Sequence, residues 1–531
     1  MDDLKLYAED EKNLDRLLDI VHIFSSDIGM DFGLDKCAKC VIKKGKQVKS
    51  PGKEISEGKT IKDLESDTTY TYLGIQENAK LEHKALRAKA KKEYIKRLKK
   101  ICRSHLSPKN KITAINQLAT PVLTYGFGII DWPQGEIDSI DVKTRKILTT
   151  HRILYRNQCL DRLYIPRREG GMGLIEINDV YRKTIINLDF YLKNIQEKHI
   201  QLVRKQHQED LQGNKSITKL ADSFRNINKQ QLNEDQPPEN NQNTQQPHED
   251  QEETNTKHPY MHFERINKRK GWQNNKRAGK FYEETQKNYI DQKGSFQWLQ
   301  NGELKYDEER LLLAAQDQGL MTNAFKKMIG ISQNDRCRYC HNAIESSSHL
   351  ISGCQTLLAD GHYTRRHNKV CSYLHWTICN ANNIPTKEVW NHSPEPVTAT
   401  DNTTIFYDKI IPTGRYIDNQ AIKPDIVVRD HKNKSALIID VSVPNDFGIN
   451  RAEREKVTKY QDLKVALKEE WNLNQIDVIP VIIGATGLMK DSLERYLSSI
   501  PGNPNKYEVQ TAAIRGTVSI LKRTLGSDFK H

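Results

Sequence analysis

Apolar positions recur at helical spacing near the start of the chain, at Leu14, Leu17, Leu18, Val21 and Phe24. That spacing predicts a helix over residues 10–28, with Asp10 placed to cap it and Gly29 to stop it. The segments DFGLDKCAKCVIKKG and TTYTYLGI follow, with strand character and turn residues between them. Helical spacing returns over residues 81–106, where Leu86, Ile95, Leu98 and Ile101 give a partial apolar face. More helical pattern runs to about residue 200, broken by LYIPRREGGMGL at 163–174.

The pattern then stops. Residues 225–258 contain two apolar side chains, Ile227 and Leu232, so nothing there can bury enough surface to offset the entropy of ordering. This stretch reads as a disordered linker. Beyond it, EERLLLAAQDQGLM predicts a helix, and a compact α/β region begins near residue 400. Ile426 to Val428 form a short apolar run, RDHKNKS a hairpin-like turn, and ALIIDVSV a mostly buried strand. NRAEREKVTKYQDLKVALKEEW places Val457, Tyr460, Leu463, Leu467 and Trp471 on one helical face, and VIPVIIGA at 478–485 reads as a buried strand.

A chain of 531 residues exceeds one ordinary domain. Lys and Arg number 82 against 69 Asp and Glu, a net charge of +13, which suits a polyanionic partner. Ten Lys or Arg and one acid, Glu93, lie between Lys84 and Arg103, and KRKGWQNNKRAGK opens the second half. No apolar run reaches the ~18–20 residues that span a bilayer, and MDDLKLYAEDEKN has acids where a secretory signal is basic and apolar. The expectation is a soluble intracellular protein with no membrane partner.

Nine cysteines in a chain this long do not make a disulfide scaffold. Cys337-x2-Cys340-x8-His349-x4-Cys354 instead has the spacing of a tetrahedral zinc knuckle, with four protein ligands and hence a structural role. The fourth ligand is the least fixed, because His341, His362, His367, Cys371 and Cys379 are near in sequence. Cys37-x2-Cys40 has no second pair nearby and reads as plain packing.

Asp425 and Asp440 flank the turn between two predicted strands. On adjacent strands they can share one Mg²⁺ or Mn²⁺ through oxygen ligands, with substrate phosphate completing the shell. Strand, strand, helix, strand with acids at the mouth is the order a small nuclease core needs. The chemistry also needs a cationic side chain beside the metal. Ser442, two residues after the second acid, cannot serve, which leaves Lys456 on the following helix and Lys459 after it. The plain alternative is that Asp425 caps a strand and Asp440 forms a salt bridge with Lys423 or Lys456.

The combination resembles the C-terminal part of polyproteins from non-LTR retrotransposons that carry a restriction-like endonuclease. That family's signature is a basic residue, Pro-Asp, a spacer of about a dozen residues and a second acid, which Lys423-Pro424-Asp425, fourteen residues and Asp440 match. Lys456 followed after three residues by Tyr460 matches a further element, and a Cys-Cys-His-Cys knuckle precedes the nuclease in the family as here. MDDLKLYAED resembles the reverse-transcriptase palm hairpin with consecutive aspartates, here Asp2 and Asp3, and FGLDKCA and YLGI resemble later palm elements.

The resemblance implies a multidomain α+β and α/β chain: a partial palm at 1–80, a helical thumb or connection at 81–224, the linker at 225–258, a basic helical segment at 259–335, a zinc-knuckle region at 336–395 and a restriction-like endonuclease at 396–531. It implies structural Zn²⁺ on Cys337, Cys340, His349 and Cys354, and catalytic Mg²⁺ or Mn²⁺ on Asp425 and Asp440 beside Lys456. It further implies target DNA and element RNA as partners, phosphate contacts from Lys91, Lys92, Lys96, Arg97, Lys99, Lys100, Lys268, Arg269 and Lys270, and nuclear action after cytoplasmic synthesis. The upstream palm strand and the fingers have no counterpart between Met1 and Asp2, so nicking is expected of this chain and polymerisation is not.

Overall fold

A computed structural model of the chain describes residues 4–56, 59–64, 68–77, 81–210, 216–234, 259–414 and 423–526. It is a mixed α+β protein with small sheets and many helices. Two compact units emerge, each built from separated stretches of chain. The first comprises 1–97, 119–140 and 180–224, and the second comprises 98–118, 141–179 and 225–531. Residues 98–118 and 141–179 thus belong with the C-terminal unit rather than with their neighbours in sequence.

In the first unit the predicted opening helix spans Glu11–Asp27, and the Asp10 side chain accepts from the Asn13 N–H at its start. Its end is marked by Gly29 at φ +71. The strand-like segments fold as small pieces: a three-stranded sheet and two hairpins, Val41–Lys43 with Lys46–Val48 and Tyr70–Tyr72 with Ile75–Glu77. Both hairpins turn through two residues of positive φ, Lys44-Gly45 and Leu73-Gly74, the geometry that matches strand twist. The core of this unit is aromatic: Phe127 meets Trp132 and Tyr181 edge to face, and Tyr181 meets Phe224 in the same way. The basic stretch is one helix, His83–Arg103, whose last turns from Leu98 belong to the second unit; of the predicted face, Leu86, Leu98 and Ile101 are buried and Ile95 is half-buried.

The expected linker begins later than composition suggests. Residues 225–234 continue the helix Ile217–Glu234, because Lys, Gln, Glu and Leu are good helix formers once a helix has been nucleated. Residues 235–258 lie outside the described residues, as do Asp2 and Asp3.

In the second unit, the interruption at 163–174 is a tight structural knot. Arg162 is fully buried, pairs with Asp317 at 2.7 Å, donates to the Gly170 carbonyl at 2.7 Å and lies over the Trp272 ring. Losing either partner of a pair this deep costs about 3–5 kcal/mol. Gly171 is required there, since a Cβ would lie 2.0 Å from the Ile165 carbonyl oxygen.

The C-terminal part of this unit is a five-stranded mixed sheet of β1 (Val397–Ala399), β2 (Thr403–Tyr407), β3 (Ile426–Asp430), β4 (Ser435–Ser442) and β5 (Gln475–Ile482). They lie side by side in chain order, antiparallel from β1 to β4, with β5 parallel to β4. Pro480 has no N–H to donate, and β5 is accordingly an edge strand. Helices that flank the sheet include α1 (His362–Ala381), α2 (Ile449–Lys459), α3 (Gln461–Glu470) and α4 (Lys506–Leu525). Alternation along the strands sorts the core. Ile426, Val428, Ile439 and Val441 pack with Val370, Leu374 and Val509 from α1 and α4, while Val427, Ala436 and Ile438 pack with Tyr460, Leu463 and Leu467. The single helix predicted across 450–471 is two, α2 and α3, broken at Tyr460, whose buried side chain still packs with Leu463 and Leu467 under the sheet.

Candidate metal centres

The Cys3His group comes together as its spacing predicts. One ligand atom from each of Cys337, Cys340, His349 and Cys354 lies within 4.8 Å of every other. Cys337 Sγ and Cys354 Sγ are 3.8 Å apart, and Cys340 Sγ and His349 Nε2 3.4 Å. Bonds of ~2.3 Å to sulfur and ~2.0 Å to nitrogen at tetrahedral angles give edges of about 3.8 and 3.5 Å, so the residues present fit a zinc ion. Cys337 to Cys340 form a tight turn, and Ser346 caps the short helix Ser347–Ser352 that carries His349. Cys354 is buried, and its N–H donates to the Tyr363 hydroxyl at 3.1 Å. Backbone N–H groups, that of Ala343 first, lower the Cys340 thiol to about 6, while burial pushes the Cys337 thiol up to about 11. The frame is held by buried Glu345, which accepts from the Asn323 and Arg338 N–H groups and pairs with the Arg338 guanidinium at 2.7 Å. Cys354 fills the fourth position; His341, exposed at φ +57, does not.

The acidic pair also converges. In the antiparallel register of β3 and β4, Ile426 faces Ile439, and one step further sets Asp425 opposite Asp440. Asp425 Oδ2 accepts from the Val441 N–H at 2.7 Å. Asp440 is 2% exposed; its Oδ1 accepts from the Tyr460 hydroxyl, and its Oδ2 lies 2.5 Å from Lys456 Nζ. Burial, then the charge of Asp425, raises the Asp440 carboxyl above its usual range, with Lys456 and Tyr460 opposing. Burial and Asp440 also raise the Tyr460 hydroxyl, which stays a donor. A buried carboxylate and a half-buried one that repel one another are a donor set suited to a hard divalent cation. Lys456, and not Lys459, reaches the acid; Lys459 Nζ donates to the Tyr460 hydroxyl at 3.0 Å. Lys423 pairs with Asp408 instead of Asp440.

A neighbour of this pair escaped sequence reasoning. His367 on α1 sets its Nε2 3.1 Å from Asp425 Oδ2 and 3.2 Å from the Val441 carbonyl oxygen. Cys371, one turn on, places its Sγ 3.6 to 3.8 Å from the two His367 ring nitrogens. The sequence offered both residues only as substitutes at the knuckle. Their i, i+4 spacing puts them on one helical face, but nothing in the spacing says that face meets Asp425.

The basic residues divide. On His83–Arg103, Lys91 pairs with Glu136, and Lys96 and Arg97 pair with Glu93. Lys92, Lys99 and Lys100 are exposed and carry no ion pair among the described residues. In the second stretch Lys268 pairs with Glu176 beneath the Tyr164 ring, Arg269 pairs with Glu169, and Lys270 is half-buried. Lys268 and Arg269 are thus occupied by internal carboxylates, against the expectation of free phosphate contacts. Cys37 is half-buried and Cys40 exposed, so the packing expected of that pair fits the first in part and the second not at all.

Among the described residues no helix is long and apolar enough to cross a membrane. No family model matches the chain. An uncharacterized protein of Caenorhabditis elegans is 32% identical over 142 residues, covering 26% of this chain. The chain spans 39% of the length of that relative.

Proposed function

We propose that the chain is a divalent-metal-dependent DNA endonuclease of the restriction-like type found in non-LTR retrotransposons, joined to a nucleic-acid-binding unit derived from a reverse-transcriptase palm and thumb. The observation that carries this reading is the register that sets Asp425 against Asp440, with Lys456 on the second acid. The order β3, β4, the helices α2 and α3, then β5 around those acids supports it further.

Asp425 and Asp440 would hold the Mg²⁺ or Mn²⁺. When bound there, the ion supplies polarisation of a phosphoryl oxygen and a more acidic water. Lys456 Nζ lies 2.5 Å from Asp440 Oδ2 as an ion pair, its side chain is 25% exposed, and its ammonium carries three N–H donors. It can therefore hold the attacking water and offset charge on the phosphate together. The water oxygen bonds to phosphorus, the bond to the 3′ oxygen breaks, and that oxygen leaves as a 3′-hydroxyl opposite a 5′-phosphate. Tyr460 fixes the Asp440 carboxylate by its hydroxyl. Lys92, Lys99 and Lys100 would contribute phosphate contacts on target DNA or element RNA, and the site of action would be nuclear.

One observation favours a second reading. Lys456 and His367 already compensate Asp440 and Asp425 without any ion, as in a binding protein that has no activity and uses the acids as ordinary salt bridges. Cleavage of supercoiled plasmid by the full chain with Mg²⁺ or Mn²⁺ separates the two. The nuclease reading expects metal-dependent nicks ending in 3′-hydroxyl and loss of nicking in Asp440→Ala. Retained DNA binding with no nicking by the folded parent would establish the inactive binder.

A further inference from the structure

Pro424 interrupts the β3–β4 ladder beside the acidic pair. The register pairs Ile426 with Ile439, and continued by two residues it sets Pro424 opposite Val441. Proline has no N–H to give, so the ladder ends there and side chains bond both main-chain groups of Val441. The Val441 N–H donates to Asp425 Oδ2 at 2.7 Å, and the Val441 carbonyl oxygen lies 3.2 Å from His367 Nε2. The same Nε2 lies 3.1 Å from Asp425 Oδ2. A carbonyl oxygen and a carboxylate oxygen that already takes an N–H are both acceptors, so Nε2 carries the proton and donates.

Helix packing alone does not account for this contact. His375 and Cys379 repeat on α1 the spacing of His367 and Cys371, with Cys379 Sγ 3.5 Å from His375 Nδ1 and Cys371 Sγ 3.6 Å from His367 Nδ1. His375 meets the His392 imidazole at 2.8 Å, whereas His367 meets a carboxylate. The neighbouring Arg366 is buried and donates to the Val443 carbonyl at 2.9 Å, which sets this turn of α1 against the end of β4.

Asp425 Oδ2 therefore has two donors, while Oδ1 has none among the described residues. Asp440 Oδ2 is buried with no hydrogen bond beside its ion pair with Lys456. We propose that His367 is a positioning residue of the acidic centre: its Nε2–H, with the Val441 N–H, holds one oxygen of Asp425 so that the other is presented to a divalent ion. The role rests on the metal centre of the nuclease reading, but ion binding there needs no cleavage. Bonds of this kind to a ligating carboxylate set its orientation, and their loss weakens metal binding by roughly 10–100-fold.

The test is Mn²⁺ binding to the full chain with its knuckle kept zinc-loaded, read by the paramagnetic resonance of free Mn²⁺, beside plasmid nicking as a function of Mn²⁺. His367→Ala is expected to weaken Mn²⁺ binding by ~10-fold or more and to raise in step the Mn²⁺ needed for half-maximal nicking. Its rate at saturating Mn²⁺ should change by no more than a few fold. His367→Gln, whose amide N–H reaches the place of Nε2, is expected to bind Mn²⁺ within a few fold of the parent. A purely structural role would lower the melting temperature of His367→Ala and leave its Mn²⁺ affinity at the parent's value. That result overturns the proposal, as does His367→Gln binding as weakly as His367→Ala. If His367→Ala does not fold, His367→Asn decides by the same comparison, since its shorter amide stops at the place of Nδ1. The nuclease reading fails separately: Mn²⁺ binding that depends on His367 without nicking removes it and leaves this role, and nicking with unchanged Mn²⁺ affinity in His367→Ala does the reverse. A parent that binds no Mn²⁺ removes both.

Discussion

The Cys3His knuckle and the Asp425–Asp440 centre lie in the same unit and are built on opposite plans. In the knuckle all four ligands fall within eighteen residues, and a turn, a bridge and one short helix bring them together. The set is closed, with Cys337 and Cys354 buried and Cys340 and His349 half-buried, and its framing pair, Arg338 and Glu345, belongs to the same segment. The acidic centre draws on β3, β4, α1 and α2, and its members come from positions 367 to 460. Its carboxylates repel one another and rest on groups that can move away, a lysine and a histidine. A closed soft site stores folding energy, whereas an open hard site keeps charge in hand for a ligand.

The largest effect expected from this contrast is loss of the knuckle. Chelation, or Cys337→Ser, removes a term that reaches roughly 10–16 kcal/mol in isolated zinc fingers. Protease-sensitive opening of residues 337–354 should follow, with zinc content falling in step. If the segment keeps its protease resistance without zinc, the knuckle is held by packing alone.

Cleavage should separate the lysines next. Lys456→Ala is expected to lower the nicking rate by ~10²-fold or more, as removal of one charge-stabilising donor does. Lys459→Ala, whose ammonium donates to the Tyr460 hydroxyl and not to Asp440, should change it by no more than a few fold. Equal losses from both would dissolve the distinction drawn from their contacts.

Tyr460→Phe removes the hydroxyl donor to a buried carboxylate and should destabilise the protein by about 1.5–3 kcal/mol near neutral pH. The loss should shrink as pH falls through the raised Asp440 value and the carboxylate takes up a proton. A pH-independent loss would assign the effect to packing.

The smallest effects concern binding. Lys99→Ala and Lys100→Ala should each reduce the salt slope of DNA binding by ~1, whereas Lys268→Ala should leave it unchanged and lower the melting temperature instead. Fluorescence anisotropy at several salt concentrations reads the slope.

How much of each centre could be read in advance follows from the range of its interactions. The knuckle is a local object, and its ligand spacing in sequence is nearly its geometry. The β3–β4 hairpin is also local: an apolar run, a charged turn and a second run set a register that opposes Asp425 and Asp440. Lys456 was reachable because Ser442 cannot supply the cation. His367 was not, because α1 meets Asp425 only through the packing of Val370 and Leu374 on Ile426 and Val441, a tertiary fact with no periodic trace. The same limit explains Lys268 and Arg269, whose basic run looked available until Glu176 and Glu169 were folded against it. Tyr460 fits a helical stripe on a wheel but instead ends one helix and begins the next.

The most direct test of the central claim compares Asp440→Asn with the parent in two readouts, plasmid nicking and thermal melting. Asn keeps an acceptor for Tyr460 and removes a buried charge whose folded-state pKa is raised. The parent therefore loses stability relative to the variant as pH rises from the ordinary carboxylate range up to that value, and at neutral pH the variant should melt no lower than the parent. The account predicts Mg²⁺-dependent nicking by the parent and none by Asp440→Asn at an equal or higher melting temperature. Nicking that survives in the variant, or a folded parent that does not nick at all, would contradict it.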